Sequence, residues 1–540
     1  KKVGEISAMF TAISMAICLL VVFVYVVYKT RQINVSGSDG YFLAGRSLTG
    51  GVICATILLT NLSTEQLVGL SGQVYSSNMG PMAWEAPACI GAIGLAFIFL
   101  PHYFRQGVMT VPEFLETRYD AGVKKLVAFL LLATYLLTFL PTVLYSGALV
   151  FEQMFNVGEI LNISHFTAVA LVTFILGLVG AFYTIVGGVK ASASADTIYG
   201  ILFAIGGCAV PIFALIFLGN GNFLDGFQAL LSRVPAEKFT AINSATATAP
   251  EVPWPILFTG MVFNMLYYFG CNQSLVQRAL GGKSLAEAQK GALLFGLIKV
   301  FCPLILCSTG LFAYAIFGDT IEVADMAYPM VVAEVLPAPL LGFVGAAIVG
   351  AILSSYAGTL NSCVTLYSLE FHESIFKKKL SDKGLVRVGR ISGVIIAIIS
   401  IGIAPFIMYA PSGLYDFLQR FFGTFNAPTL AVVLYAIYSR KVTPLAAKAA
   451  FCVHIPLYWL ATLLLPQVHY LYFFAILFPF DVLVMYVITK RHPRTELIEI
   501  QEKAQVDMTP WKYGKLVAVL SILALLGMYF VFSPLCLAKI

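Results

Sequence analysis

Apolar stretches long enough to cross a bilayer follow one another along almost the whole of the 540-residue chain, with short basic loops between them. A helical crossing needs about 20 apolar residues. Inside hydrocarbon each backbone amide and carbonyl must find its partner within the spanning element, which leaves helices or a closed barrel. The stretches are too long and too evenly apolar for barrel strands. They predict about fourteen transmembrane helices, at roughly 6–28, 47–74, 81–101, 124–154, 164–188, 195–218, 255–281, 286–318, 339–371, 385–410, 414–439, 445–465, 467–490 and 514–535. The fold class is therefore all-α and polytopic. A single transmembrane domain over 1–540 is expected, because no polar stretch is long enough to enclose a core of its own. With only 11% charged residues and a mean hydropathy of +0.88, the chain offers no basic surface for nucleic acid.

Orientation follows from the positive charges. With the N-terminus outside, alternate loops on the inner side hold about 26 of the 33 Lys and Arg, Lys490, Arg491 and Arg494 among them. Both termini are thus expected outside, and an even helix count agrees. The ten cysteines lie in or beside apolar segments, with no disulfide framework or metal-ligand spacing. Absence of cysteine from the long outer loop 220–252 suits a bacterial inner membrane. The first apolar stretch is long enough to span, so no cleavable signal peptide is expected, and a start at Lys1-Lys2 rather than Met suggests a trimmed terminus. The inner segment 102–123 is amphipathic and carries a helix start at Thr110-Val111-Pro112-Glu113. The stretch 337–350 is rich in Gly and Ala, which suits close helix contact.

Function is sought in the polar groups placed at membrane depth. The run Asn61-Leu62-Ser63-Thr64-Glu65-Gln66 interrupts the second helix. An acidic residue near a helix centre costs roughly 3 kcal/mol on insertion scales, so such groups face a partner, a cavity or a ligand. Gly69 and Gly72 follow, and unwinding is expected around them. Trp84-Glu85 supplies a second carboxylate with an aromatic neighbour, a pairing that suits sugar hydroxyls and a sugar ring; an interfacial Trp with a near-surface Glu fits the same residues. The seventh helix carries Asn264, Tyr267, Tyr268 and Gly270-Cys271-Asn272-Gln273, either an aromatic packing stripe or a broken helix lined for a ligand. Lys299 lies mid-span, with Glu65 or Glu85 as candidate partners. Ser354 and Ser355 can bond back to their own helix or supply oxygens to a small cation together with carbonyls of an unwound helix. Asp196 adds an acidic group near the inner face, and the eleventh helix offers Tyr415, Gln419 and Arg420.

Taken together, Tyr41-Phe42-Leu43-Ala44-Gly45-Arg46, Asn61–Gln66, Trp84-Glu85, Tyr267–Arg278 with Lys283-Ser284 and Ala288-Gln289-Lys290-Gly291, and Ala351–Ser355 through Asn361-Ser362 resemble the sodium:solute symporter family. The likeness is greatest to its bacterial sodium/galactose-type and animal sodium/glucose-type branch. The resemblance implies a LeuT-type inverted five-plus-five repeat, with 47–218 and 255–439 as the repeats. Helix 6–28 and those within 445–535 would be peripheral. It implies sugar contacts from Gln66, Glu85, Lys299 and Gln419, supported by Asn61 and Glu65, and Tyr268 as ring platform and inner gate. Leu70, Trp84 and Tyr415 would form an outer gate. Sodium would be held by the Ser354 and Ser355 hydroxyls and the carbonyls of Leu59, Leu62 and Ala351, with Asp196 on its exit path.

Met265 stands where galactose-type members have asparagine, with Asn264 one position away, and Ala88 replaces a serine. Ala357 and Gly358 lack the hydroxyls of a second sodium site, so one sodium per substrate is expected. The implied activity is sodium-coupled symport of a galactose- or glucose-like monosaccharide by alternating access, with sodium as co-transported ion and no organic cofactor. A symporter of another solute (myo-inositol, a monocarboxylate or a sialic acid) is the alternative, and a non-transporting sugar sensor is a third reading. No enzymatic chemistry is expected: the carboxylates lie at bilayer depth, without the water-exposed cleft a glycosidase pair needs.

Overall fold

The computed structural model describes residues 2–31, 37–372, 380–409, 414–494, 498 and 502–539, with the backbone alone for 2–8, 27, 29–31, 183 and 414–418. Among these residues the architecture is helical throughout, with three isolated bridges as the only β pairing. Twelve helices are long and apolar enough to cross a bilayer. A thirteenth crossing is made by the pair Gly50–Asn61 and Thr64–Ser76, bent by 58°. The remaining expected helix, the seventh at 255–281, is not a continuous apolar span. It is split into Trp254–Leu257, Gly260–Gly270 and Gln273–Leu280, and the last piece is polar.

Two further expectations need correction. The second helix does not unwind at Gly69 and Gly72, both of which are helical. It breaks earlier, where Leu62 (φ −80°, ψ 91°) and Ser63 (φ −107°, ψ 169°) are extended. The two spans expected at 164–188 and 195–218 are both present, as His165–Phe182 and Thr184–Leu218, but the residues 189–194 between the expected bounds are helical. His165–Leu218 is helical on both sides of a single kink at Gly188, whose φ of 57° and ψ of −151° suit glycine alone. A Cβ at Gly188 would also lie 2.4 Å from the Tyr41 carbonyl oxygen.

Ala338–Leu366 runs through the middle of the bundle, and 83% of its apolar window is buried. Its small residues let neighbours approach closely, as 337–350 predicts: a Cβ on Gly342 would sit 2.1 Å from the Thr11 carbonyl of the first helix. By contrast the first helix and the last, Gly514–Val531, bury only 17% and 28% of their windows and face outward. At the basic-loop face Thr110 Oγ1 accepts from the Glu113 amide at 3.0 Å and starts helix Val111–Arg118, while the Glu113 carboxylate accepts from Met109 N at 2.7 Å. The sequence signal for that helix is realised as a reciprocal cap. On the opposite face, Lys238 of the long loop donates to the carbonyls of Tyr75 and Ser77 at 2.8 and 3.1 Å, closing the end of Thr64–Ser76.

Candidate substrate and cation site

The break at Leu62–Ser63 releases carbonyls. In an unbroken helix Leu59 O would accept from Ser63 N and Leu62 O from Gln66 N. Here Ser63 N bonds to Asn61 O and Gln66 N to Ser63 O, at 3.1 Å each. Leu59 O instead accepts from the Ser355 hydroxyl on the central helix at 3.0 Å. Ser354, next to it, faces Asp196, which also takes the Thr56 hydroxyl and lies near the Arg278 guanidinium. Ser354, Ser355, Leu59 and Asp196 are thus contiguous and buried. Ala351 lies one turn before Ser355 on an intact helix, so its carbonyl belongs to that ladder and has only a second lone pair to offer. This is an all-oxygen arrangement of hydroxyls, freed carbonyls and a nearby carboxylate, which suits a hard monovalent cation and not a soft metal.

A second cluster lies on the other side of the break. Lys299 Nζ is 2.5 Å from Glu85 Oε2, and both side chains are buried. Of the two candidate partners for Lys299, Glu85 is the one taken. The same ammonium donates to Gln66 Oε1 at 3.4 Å. A buried pair of this kind is held only if its remaining polar atoms are also satisfied, yet Glu85 Oε1 has no partner within the protein.

Asn61, Glu65, Gln66, Trp84, Asn264, Tyr268 and Gln419 line one cavity, together with Met265, Phe139, Phe269 and Phe422. The Asn61 side chain lies against the Tyr268 hydroxyl. Glu85 and Lys299 stand behind Gln66 and do not line the cavity. About 30 Å³ is free, room for about two waters and less than a sugar ring needs. Leu70 is buried away from this cavity. The Tyr415 side chain falls outside the described residues. Trp84 stacks on Tyr470 of Tyr470–Arg491, centroids 6.3 Å apart, and Arg420 lies over the same Tyr470 ring at 5.2 Å.

Several residues escaped the sequence reading. Asn426 donates to Asn264 Oδ1 at 3.0 Å and fixes that amide. It sits two turns beyond Gln419, a spacing that could have marked it. Phe139 and Phe422 carried no signal, because aromatic residues are common throughout this chain. Ser192 was missed because it falls where a loop was expected. It accepts from Arg278 Nη1 at 2.7 Å and from Asn361 Nδ2 at 3.2 Å.

The match to known proteins follows this geometry. The model of the sodium:solute symporter family matches residues 41–453. An uncharacterized symporter of Escherichia coli, YidK, is 43% identical over 94% of this chain and 89% of its own length. The sodium/glucose cotransporter of Vibrio parahaemolyticus is 29% identical, over 80% of each chain. Among solved structures, a sodium-coupled sialic acid symporter in a substrate-bound outward-open state superposes with a TM-score of 0.75. It covers 90% of this chain and 99% of that one at 17% identity, a likeness of fold. The architecture is the LeuT-type inverted repeat. The chain belongs to the sodium:solute symporter family: it is an integral membrane protein that couples sodium to the movement of a small solute, a transporter and not an enzyme.

Proposed function

We propose that the solute is a monosaccharide of the galactose or glucose kind, carried inward with one sodium by alternating access. The observation that carries this reading is the lining of the cavity: the amides of Asn61, Gln66, Asn264 and Gln419 and the Glu65 carboxylate, together with the Tyr268 and Trp84 rings. Hydroxyl groups need donors and acceptors together, and a sugar's C–H face needs a ring. The names of the Vibrio relative and of a mouse sodium/myo-inositol cotransporter, 28% identical over 77% of this chain and 61% of its own length, point to polyhydroxylated solutes.

In this mechanism Gln66 and Gln419 bond sugar hydroxyls, with Asn61, Glu65 and Asn264 holding the wall. Glu85 and Lys299 act through Gln66 and take hydroxyls directly once the cavity widens. Tyr268 stacks on the ring and closes the inner side; Trp84, Leu70 and Tyr415 close the outer side. Sodium replaces the Ser355 hydrogen bond to Leu59 O, so that Ser354, Ser355, Leu59, Leu62 and Ala351 oxygens turn toward the ion. Asp196 receives it on the way out. Because the released carbonyls belong to the helix that bears Gln66, filling the cation site fixes the break and favours the state that binds sugar. A 100 mV potential supplies about 2.3 kcal/mol per charge, and a tenfold sodium gradient about 1.4 kcal/mol. One sodium then supports roughly a few-hundredfold accumulation. The repeats are placed at 47–218 and 255–439, and both termini outside, in a bacterial inner membrane.

The test is uptake of labelled galactose, glucose and myo-inositol into proteoliposomes with and without an inward sodium gradient, beside Gln66→Ala and Ser355→Ala. Sodium-dependent accumulation of a hexose, lost in both variants, is the expected result. Accumulation of myo-inositol alone would replace the substrate, and binding of a sugar without flux would make the protein a sensor.

A further inference from the structure

One guanidinium at the basic-loop face is buried with two of its nitrogens unpaired among the described residues. Arg118 ends the helix Val111–Arg118 and is 2% exposed. Its Nε and Nη1 have no acceptor, and among the described residues it joins no ion pair. The Phe114 ring, 5.7 Å away, is a weak substitute. The surroundings are cationic too. The Nη1 of Arg494 donates to the Arg118 carbonyl at 3.1 Å. Burial and then the nearby charge of Arg440 push the Arg118 guanidinium below its usual pKa. His102 feels the Arg118 charge as well, while its Nδ1 bonds to the Ile98 carbonyl at 2.6 Å.

The other fully buried arginine shows what is missing. Arg278 has the Ser192 hydroxyl at 2.7 Å, the Val189 carbonyl at 3.3 Å and the Asp196 carboxylate nearby. Buried cations are normally paired in this way, because leaving one unpaired is costly. Among the described residues, Arg118 has a second cation, Arg440, where Arg278 has its anion.

We infer that Arg118, Arg440 and Arg494 form a site for a phosphate group, supplied by the headgroup of an anionic lipid. The planar fork of Arg118 matches two phosphate oxygens. Arg440 and Arg494 are exposed, and in this proposal they meet the same phosphate from its solvent side. Arg118 lies in the short connection between the spans Gly80–Gln106 and Ala121–Phe155, the level at which headgroups sit. Occupancy has a mechanical consequence. The start of Val111–Arg118 is held by Gln273 of the second broken helix, which accepts from Val111 N at 2.9 Å and donates to Met109 O at 3.2 Å. Arg440 follows the end of Leu414–Tyr438, the helix that carries Gln419. A phosphate would tie these two elements together.

The experiment is a thermal-unfolding titration of the purified full chain in detergent. Phosphatidylglycerol, phosphatidylcholine and inorganic phosphate are added separately, to the parent, Arg118→Gln and Arg440→Gln. Phosphatidylglycerol should raise the parent midpoint and phosphatidylcholine should not. Arg440→Gln, at an exposed position, should need about tenfold more phosphatidylglycerol for half the rise, equivalent to about 1.4 kcal/mol. Without added lipid, Arg118→Gln should be at least as stable as the parent, since it removes an unpaired buried charge; a merely structural arginine would give the opposite. A rise with inorganic phosphate equal to that with lipid would keep the site and overturn its lipid source. No rise with either, or the same rise in the parent and Arg440→Gln, would overturn the site, even if Arg118→Gln fails to fold.

Discussion

The two broken helices look alike in outline and differ in how their loose ends are met. At Asn272 the side chain at the break and the Gly270 carbonyl beside it both find protein partners. The Asn272 side-chain oxygen accepts from Ser274 N at 3.0 Å, Ser274 Oγ at 2.7 Å and the Tyr135 hydroxyl at 2.7 Å. The Gly270 carbonyl takes the Tyr103 hydroxyl at 2.7 Å. At Leu62–Ser63 the released Leu59 carbonyl has a single serine hydroxyl, and Thr60 Oγ1 and Glu65 Oε2 nearby have no partner. A saturated break is a fixed joint, whereas an unsaturated one at membrane depth is tolerated where it lines a cavity or binds something. Under the proposed function, the cation falls to the first break, and the second is the stiffer wall that presents Tyr268 to the cavity.

That contrast can be broken most severely at the ion pair behind Gln66. Lys299→Met leaves Glu85 as a buried charge without its partner, and a loss of about 3–5 kcal/mol in stability is expected. Adding Glu85→Met should restore most of it while transport stays lost. If the single variant unfolds at the parent midpoint, the pair does not hold the first break in place. Next in size is Ser355→Ala. Losing one contact to a charged species costs about 1.5–3 kcal/mol, so the half-saturating sodium concentration should rise roughly 10- to 150-fold. The unfolding midpoint without sodium should move much less. An unchanged sodium dependence would remove Ser355 from the cation site.

Much of this was legible before any coordinates. The spans follow from length and hydropathy because the bilayer leaves the backbone so few solutions, and the polar run at Asn61 marks itself by its cost. The break itself was misplaced, because the glycines that suggested it serve another purpose: Gly72 lets Ala324 approach, with the Ala324 carbonyl 2.7 Å from where a Cβ would be. The extended residues are Leu62 and Ser63, and no residue type there demands that geometry. The two spans that meet at the Gly188 kink follow from the sequence; residues 189–194 are helix and not loop, since a single positive-φ glycine can kink a helix without a connecting loop. Asn426 is marked only by its spacing from Gln419, and Phe139 and Phe422 carry no signal, because their role depends on which face of a long helix meets the cavity and aromatic residues occur on every face.

The smallest effect, and the one that isolates the fixed joint, is expected at Asn272. Asn272→Ala removes a cap that accepts three hydrogen bonds, and caps of this kind are worth about 0.5–2 kcal/mol. The Tyr135 hydroxyl would be stranded in a buried position, which puts the loss at the upper end of that range. Tyr135→Phe removes the donor while keeping the ring and the cap, so a smaller loss, about 0.5–1.5 kcal/mol, is expected. Neither residue touches the cation oxygens. Both variants should therefore lower the unfolding midpoint while leaving the half-saturating sodium concentration where it is. A shift in sodium dependence comparable to that of Ser355→Ala would mean that the second break moves with the first, and the division into a fixed joint and a binding joint would fail.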